Sequence, residues 1–593
     1  MNNPLSGGGL FDTVTHLEQY KYSEKLLSRS FFKQLIVMFL TSLSTFLLVT
    51  VDGFVVGQFL GENALNSVNL LSPFTLVIGA ITSLVASGSN IVLSKTFGLG
   101  KPEKKDAVYR AIVILTGILF ITVTFVQIPV AYLMIDSYSI SQNIKDLSWQ
   151  YSIGIMLCNS FSVFTTVGTY LLIASGQGGN LLKLTILESV LHLVLDIVFV
   201  NFCNLGVLGA GLGSAVACGI RCIFTFADLQ KSLKIFPLVK IKCGAEIKEV
   251  LQNGTMEMSS QLAVALQNFI LRSYITQMCG LEGITVLSVS SLATNVLTMI
   301  GTSFIRAENP LLGILTGSED WQAARNMNRK VTFLCAAVIL LLSVVLIAFP
   351  GMMFSFYGVT QITAFEVLAV QFFCTQFLFK SVNNICRNML MYCGKRIISV
   401  VSIVCESALF LIPLALLLGN INPAGIFLSY TVSGLIVSLA LIPLLSYQMK
   451  KTTSENRSCS SIHFCFHPRD ALSVSQKSQT FFLDNGIPSS VAYRAALTVE
   501  EIGAYVTEAR SGEDVQIVLF IRLYSDSLLL FYLDDGKPAI LNKKLCATNI
   551  VLGNYNLIEK LASEYSYQNI CGFNNFIIRL NYGAESAVPA PAG

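Results

Sequence analysis

Long apolar stretches alternate with short polar connections over most of the chain. Twelve of these stretches reach roughly 20 residues, the length that a helix needs to cross the hydrocarbon of a bilayer. We therefore expect an all-α polytopic membrane protein with twelve transmembrane helices in two six-helix lobes. The stretches begin near Phe31, Ser67, Val108, Trp149, Leu181, Gly206, Val250, Gly283, Val331, Ala364, Ile397 and Pro423.

The composition supports a membrane location. Of the 593 residues, 53% are hydrophobic and 12% are charged, with a mean hydropathy of +0.65, whereas soluble domains carry about 25% charged residues. The net charge of +4 is small and the basic residues fall in connections, a distribution that argues against nucleic-acid binding. The 15 cysteines stand singly, so we expect no disulfide framework. The polar first thirty residues predict no cleaved signal peptide.

Basic residues are concentrated in alternate connections, at residues 21–29, 95–105, 231–248, 325–330 and 450–457. Opposite connections such as Gly61 to Asn66 and Asn420 to Asn422 are short and lack Lys and Arg. Because positive loops stay in the cytoplasm, we expect a multi-pass protein of the cell (inner or plasma) membrane with both termini cytoplasmic.

A repeat divides the membrane part into two halves. Gly61 and Gly98 stand at the same separation as Gly280 and Gly317, and in both copies a long apolar run ends in a glycine followed by charges. Internal repeats of this kind are typical of transporters. Because six spans separate the copies, we expect an axis along the membrane normal and a central cleft for cargo.

Composition shifts predict the domain boundaries. Residues 249–448 form the second lobe, and a polar tether and a soluble α/β segment follow it. The predicted units are a cytoplasmic tail (1–30), the N-lobe (31–230), a cytoplasmic linker (231–248), the C-lobe (249–448), a tether (449–461), a cytoplasmic domain (462–582) and a disordered tail (583–593).

Ionisable side chains inside membrane spans are costly, so each is a candidate for function. Asp52 lies in the first span. Glu188, His192 and Asp196 recur every fourth residue in the fifth span, which puts all three on one helix face. They serve either as titrating groups or as a satisfied polar network between helices. For Glu188 the two roles are equally supported.

The residues Asp52, Leu60, Gly61, Gly98 and Gly100 carry a resemblance to the MATE multidrug antiporters, extending over residues 31–448. The resemblance implies a transporter without catalytic activity in its membrane part. It also implies a coupling-cation site in the N-lobe, made by a first-helix Asp, an Asn and an Asp four apart on the fifth helix, and a sixth-helix hydroxyl.

Matched position by position, this implied site falls on Asp52, His192, Asp196 and Ser214. His192 stands where the family has Asn, which removes an oxygen ligand and adds a titratable group. We therefore predict coupling to protons, with sodium as the alternative, and no other cofactor in the membrane part.

The second half also carries ionisable side chains. Glu257 and Glu308 are candidates for a cargo cavity, which together with abundant aromatic residues would suit lipophilic cations. The alternative is that such groups form ion pairs within the lobe, for example Glu308 with Arg272. The other charged positions in these spans are Arg306, Glu366, Lys380 and Glu406.

The soluble segment resembles the GHKL ATPase fold of anti-sigma-factor serine kinases. The resemblance assigns Glu501 to the catalytic Glu, Asp534 and Gly536 to the adenine-reading D-x-G motif, and Gly553 to a later glycine. Tyr505 replaces the magnesium-ligating Asn. We predict a GHKL-like sandwich that binds ATP or a regulatory protein but is a poor kinase; a vestigial domain is the alternative.

Cys459, His463, Cys465 and His467 form a possible zinc cluster, but their alternation suits a strand, and we predict no metal site. The leading hypothesis is an antiporter that exports small organic, mostly cationic and amphipathic compounds and carries a cytoplasmic nucleotide-binding-like regulatory domain. A membrane sensor that signals through the tail and a flippase for lipid-linked oligosaccharides are the alternatives. The expected partners are the bilayer, the cargo and a cytoplasmic regulatory protein, but no nucleic acid.

Overall fold

A computed structural model of the chain is mostly helical and ends in a small antiparallel sheet. Ten described helices are long and apolar enough to cross a membrane. The described residues are 26–46, 55–56, 59–61, 64, 67–68, 71–100, 102–137, 142–233, 242–356, 362–455, 460–509, 515–536, 557–558 and 560–582.

The described residues of the first half of the membrane part form mostly long helices. Helix α5 continues into a π-helical turn, Val198–Phe202. In chain order the helices are α1 (Leu26–Phe46), α2 (Ser72–Leu99), α3 (Pro102–Ser137), α4 (Gln142–Ala174), α5 (Gly178–Ile197) and α6 (Gly206–Leu233).

The second half opens with an element that contains two predicted spans. Helix α7 is interrupted at Gly280, whose φ of 57° and ψ of −139° are not helical. A π-helical turn, Cys405–Leu409, separates α12 from α13. The helices are α7 (Gly244–Gly317), α8 (Trp321–Ala348), α9 (Pro350–Phe356), α10 (Ala364–Cys374), α11 (Gln376–Tyr392), α12 (Arg396–Val404), α13 (Leu411–Ile421) and α14 (Gly425–Glu455).

Two of the twelve predicted spans fall on helices that are not among the ten apolar ones. The fifth span coincides with α5, which carries Lys183, Glu188 and Asp196 within 20 residues. The seventh coincides with the part of α7 before Gly280, where Glu257 and several amide side chains interrupt the apolar residues. These polar side chains lower the hydropathy of helices whose neighbours are strongly apolar.

The two copies of the repeat contact each other at corresponding glycines. A β-carbon at Gly98 would lie 2.8 Å from Cα of Gly317, and one at Gly317 would lie 2.7 Å from Cα of Gly98. Reciprocal contacts between equivalent positions are the signature of a two-fold axis. The two halves therefore meet about a pseudo-two-fold axis between α2 and the end of α7.

Helix α2 also packs closely along the start of α7. A β-carbon at Gly88 would lie 3.0 Å from the amide nitrogen of Gly254, and one at Gly254 would lie 2.6 Å from the carbonyl carbon of Leu84. Because only glycines fit, the backbones approach directly. With the Gly98 and Gly317 contact, this packing brings the two halves together at the end where α2 finishes, which we call the domain-side end.

The C-terminal domain is a two-layer sandwich. Its five strands pair antiparallel in the order β1-β2-β3-β5-β4, and two helices cover one face of the sheet. The elements are β1 (Ser461–Phe466), α15 (Ala471–Asp484), α16 (Ser489–Ala509), β2 (Ile517–Leu523), β3 (Ser527–Asp534), β4 (Glu564–Ile570) and β5 (Phe573–Asn581).

The predicted tether is partly helical. Helix α14 continues to Glu455, six residues beyond the start assigned to the tether at residue 449, because the sequence MKKTTSE has no Gly or Pro to end it. The strand β1 starts at Ser461. Residues 234–241 of the predicted interlobe linker and residues 583–593 lie outside the described part of the chain.

Candidate cation site and the second polar sites

His192 and Asp196 lie one turn apart near the end of α5, just before the π-helical turn. Both side chains are buried, with Asp196 only 1% exposed. A π-helical turn adds one residue to a helical turn and often occurs at functional sites. It reorients the chain immediately after Asp196 and leads into the connection to α6.

Ser214 of α6 faces this pair. The Nε2 atom of His192 lies 2.6 Å from Oγ of Ser214 and 3.3 Å from Oδ2 of Asp196. The Ser214 hydroxyl donates to the carbonyl oxygen of Ala210 at 3.2 Å, so its oxygen is left to accept a hydrogen bond from the imidazole. An ionised Asp196 can also accept from Nε2–H. The three side chains thus form a compact site that can hold a proton.

Gly213 makes room for Asp196. A β-carbon at Gly213 would overlap Oδ1 of Asp196 and would lie 3.2 Å from the Asp196 amide nitrogen. Helix α6 therefore approaches α5 closely beside the carboxylate. Gly213 thereby helps to position the site, in addition to the hydroxyl of Ser214.

Glu188 has a different environment, although it shares the helix face. It forms an ion pair with Arg221 of α6, and Nη2 of Arg221 donates to Oγ1 of Thr169 at 2.8 Å. Both side chains of the pair are largely buried, at 12% and 16% exposure. This contact supports the structural role for Glu188. The signal that we missed is that Arg221 lies seven residues, two helical turns, after Ser214.

The structure thus brings together three of the predicted coupling residues, His192, Asp196 and Ser214. Asp52 lies outside the described residues. Glu188 lies on the same face but is paired separately.

Glu257, on α7, lies at the contact between the halves. It accepts a hydrogen bond of 3.5 Å from Gln261, which lies beside Gly79 of α2. Tyr170 of α4 interacts with Glu257 and forms a hydrogen bond with Arg306. The Tyr170 phenol of the first half therefore interacts with charged groups of the second half.

Glu308 is enclosed within the second half. It is fully buried and accepts a hydrogen bond of 3.1 Å from Asn328 of α8. Arg272, the ion-pair partner offered as an example from the sequence, is exposed. That pairing was wrong because residue 272 lies on the outer face of α7. An ion pair within the second half does occur, but it joins Glu406 to Arg387.

Glu366 lies in the first turn of α10, near the start of the candidate span Ala364–Tyr392. It forms a capping box with Thr363, in which its carboxylate accepts from the Thr363 amide at 2.9 Å. The sequence TAFE is the usual pattern for such a start, so this role was readable from the sequence.

The D-x-G motif of the C-terminal domain lies at the end of β3. Oδ1 of Asp534 accepts hydrogen bonds from the Gly536 amide and from Nδ2 of Asn574, each at 2.9 Å. Tyr567 donates to Oδ1 of Asn574 at 2.7 Å. Asp534 points to the helix-covered face, because strand alternation places it with Tyr532 and Leu530. The motif is therefore held in a defined polar network.

Tyr505 lies in the hydrophobic core of the C-terminal domain. It is 1% exposed and its ring packs edge-on against Phe576 at 5.9 Å. Glu501 lies one turn earlier on α16 and is partly buried, whereas Gly553 lies outside the described residues. Of the possible zinc cluster, Cys459 also lies outside them, and His463 stacks on Phe520.

Comparison with known proteins bears on the membrane part. Residues 37–198 match the MatE family model, a segment that includes His192 and Asp196. A crystal structure of MATE in complex with MaL6 aligns with a TM-score of 0.67 over 72% of this chain and 97% of its own, at 17% identity. The membrane part has the MATE transporter fold.

Two further MATE-fold structures give the same result. The Vibrio cholerae MATE transporter VcmN in the bent form aligns with a TM-score of 0.67 at 16% identity, covering 73% of this chain and 99% of its own. A MOP superfamily transporter from Pyrococcus furiosus, described as having a binding pocket of reverse polarity, aligns at 0.66 and 17% identity, covering 72% and 97%. No curated protein matches the chain significantly.

Proposed function

We propose that this protein is a secondary active transporter that exports small organic compounds, mostly cationic and amphipathic, across the cell membrane in exchange for protons. The MATE fold of the membrane part supports a transporter. The buried cluster of His192, Asp196 and Ser214 carries the proposal of proton coupling, because it joins a carboxylate and an imidazole within one polar site inside the first half.

Protons suit this cluster better than sodium. Sodium is a hard ion that prefers oxygen ligands, by the logic that governs calcium and magnesium. Here Nε2 of His192 faces the Ser214 hydroxyl oxygen and the Asp196 carboxylate oxygen. A sodium ion bound to these two oxygens would therefore displace His192 from them. A proton instead fits on the existing hydrogen bonds. The MATE resemblance adds Asp52, which lies outside the described residues, to the proposed coupling groups.

One proton supplies enough free energy for useful export. Moving one charge through 100 mV releases about 2.3 kcal/mol. At about 1.4 kcal/mol per factor of ten, this sustains a cargo gradient of roughly 50-fold.

Cargo enters between the halves in this proposal, and Glu257 is the acid that meets it. Glu257 lies at the contact of α7 with the first half, whereas Glu308 is buried against α8 and is the weaker candidate. Arg306 interacts with the same Tyr170 as Glu257, so a cargo panel should contain anionic and zwitterionic compounds as well as cations.

The proposal includes twelve spans and two cytoplasmic termini. The two polar helices, α5 and the part of α7 before Gly280, are spans five and seven. Reporter fusions at residue 1 and after residue 593 test the orientation, since a reporter that is active only outside the cell would contradict it.

The C-terminal domain is proposed to be a GHKL-like nucleotide-binding domain that regulates transport without catalysing phosphorylation. Its support is the two-layer arrangement and the network around Asp534. Where the resemblance implies a magnesium ligand, this chain has Tyr505, whose ring is buried. Because phosphoryl transfer depends on metal-neutralised charge, we propose that the domain does not catalyse it.

Reconstituted protein tests the transport proposal. Proteoliposomes with an imposed pH gradient and no sodium should concentrate a cargo, and a protonophore should abolish this uptake. Asp196→Asn should lose gradient-driven transport. The control is Thr185→Ala on the same helix, whose hydroxyl donates to Leu181 of its own helix. Transport that survives the protonophore and requires sodium would refute proton coupling.

A further inference from the structure

The sheet of the C-terminal domain has a second face that its own helices leave uncovered. We call it the docking face and define it by Val518, Phe520, Phe531, Leu533 and Ile577. These side chains are buried in a core continuous with that of the membrane helices. The docking face therefore lies against the domain-side end of the membrane part.

Three elements of the first half, α1, α2 and the α4–α5 turn, touch the domain. The Ser30 hydroxyl of α1 donates to the carbonyl oxygen of Cys571 at 2.9 Å. A β-carbon at Gly176, in the α4–α5 turn, would lie 2.8 Å from Cα of Cys571. A β-carbon at Gly100, which follows α2, would lie 2.8 Å from Cβ of Ile577. These glycines let the membrane turns touch the domain directly.

The second half is held at the turn between α7 and α8. Nη2 of Arg522, on β2, lies 2.5 Å from Oε2 of Glu319, and Nη1 donates to the Glu319 carbonyl oxygen at 3.1 Å. The Arg522 side chain is 4% exposed. Next to it, Nε2 of His463 lies 3.6 Å from Oδ2 of Asp320. Charged hydrogen bonds of this kind are among the stronger ones in proteins.

Glu319 stands at the position where the other half has Gly100. Both residues follow the end of a repeated helix in the left-handed region, with φ of 66° for Gly100 and 61° for Glu319. Glycine adopts this conformation without strain, whereas other residues do so at a cost. The second half thus carries a strained residue at the one repeat position that binds Arg522, which indicates a role in docking.

We propose that the docked domain is an intramolecular clamp that keeps the domain-side end of the transporter closed. Access to the cleft from this end requires Gly98 and Gly317 to separate. The same sheet binds turns of both halves. If the halves separate, the sheet must therefore lose its contacts with one of them. Release of Glu319 and Asp320 from the sheet frees the second half and permits opening.

A clamp must also release. Strand alternation places Asn575 on the docking face with Phe573 and Ile577. Its side chain is 1% exposed, and its amide atoms have no hydrogen-bond partner among the described residues. Burying an amide without partners destabilises the docked state relative to one in which water reaches it. The contact is therefore suited to reversible release.

This inference rests on the proposed transport function, and its test separates the two. We would measure amide hydrogen exchange of residues 92–99 and 311–317 in the full-length protein in lipid nanodiscs. Arg522→Glu and Glu319→Arg should each speed exchange roughly tenfold or more, since a lost charged hydrogen bond has about this effect. The double variant should restore slow exchange by re-forming the pair with reversed signs.

Two further variants protect the test from misfolding. Glu319→Gly relieves the strained φ while removing the carboxylate, so it should fold well and still exchange fast. Lys477→Glu reverses an exposed charge on α15 and should behave as wild type. Slow exchange in both Glu319→Gly and Arg522→Glu would overturn the clamp.

Transport is then measured on the same proteins. Faster turnover in Glu319→Gly than in wild type is expected, and slower turnover despite fast exchange would refute a restraining role. If exchange rises as expected but no variant moves any cargo, the transport function fails while the clamp contact stands.

Discussion

Gly213 and Asp196 are in direct contact, because the carboxylate of Asp196 occupies the space that a β-carbon at Gly213 would need. The contact joins α5 to α6 at the candidate cation site. The position of the Asp196 carboxylate therefore depends on Gly213, a residue that has no side chain to bind a proton.

We expect Gly213→Ala to displace the Asp196 carboxylate and to abolish gradient-driven transport. The added methyl group also overpacks the interface, at a cost of about 1–3 kcal/mol. Gly219→Ala is the matched control on the same helix, since its β-carbon would meet the Phe161 ring at an ordinary 3.5 Å. Transport assays and thermal unfolding of both variants check this, and equal activities would contradict it.

His192→Asn should change the coupling ion from protons to sodium. The substitution replaces the imidazole by an amide whose oxygen can face Asp196 and Ser214, which gives the oxygen-rich environment that sodium prefers. The measurement is cargo uptake driven by sodium or by pH gradients imposed separately. His192→Ala is the control, because it removes the imidazole without adding an oxygen. If uptake by His192→Asn is driven by a pH gradient and not by a sodium gradient, the imidazole does not select the coupling ion.

Glu188 should prove structural. Removing Arg221 leaves a largely buried carboxylate without its cation, so Arg221→Met should destabilise the protein by about 3–5 kcal/mol. Adding Glu188→Gln should recover much of this stability and keep transport. Unfolding curves and uptake rates of the single and double variants measure both effects. A stable double variant that cannot couple transport to a gradient would instead assign Glu188 to proton handling.

The full-length protein should bind ATP without transferring its phosphate. Asp534→Ala should weaken binding, because it removes the acceptor of the Gly536 and Asn574 hydrogen bonds and the carboxylate that is proposed to read adenine. Calorimetry and a phosphotransfer assay with magnesium test this. Magnesium-dependent phosphorylation of any protein would contradict it, and absence of ATP binding would favour a vestigial domain.

Tyr505→Asn is a poor way to introduce the magnesium ligand that the GHKL resemblance implies. Tyr505 packs on Phe576 in the core, so its replacement should cost about 3–5 kcal/mol through the cavity that it leaves. Tyr505→Phe is the control and should be close to wild type in stability. Thermal unfolding of the two variants distinguishes them, and equal stabilities would show that the core tolerates the loss.

Several features of this protein follow from the sequence alone, because they depend on local pattern. The apolar stretches gave the long helices, and the composition gave the membrane environment. The spacing of Glu188, His192 and Asp196 placed them on one helix face. The equal separation of Gly61 to Gly98 and of Gly280 to Gly317 revealed the repeat, whose equivalent residues meet at the pseudo-two-fold axis.

The partners of these residues were decided by the tertiary structure. Periodicity places Glu188 on a face but does not say which side chain of another helix faces it, and Arg221 on α6 is 33 residues away in the chain. The same is true of Glu308 with Asn328. Glu319 and Arg522 are separated by 203 residues, so no local pattern could link them. Contacts of this kind depend on how helices and sheet pack, and packing sums many weak interactions over the whole chain.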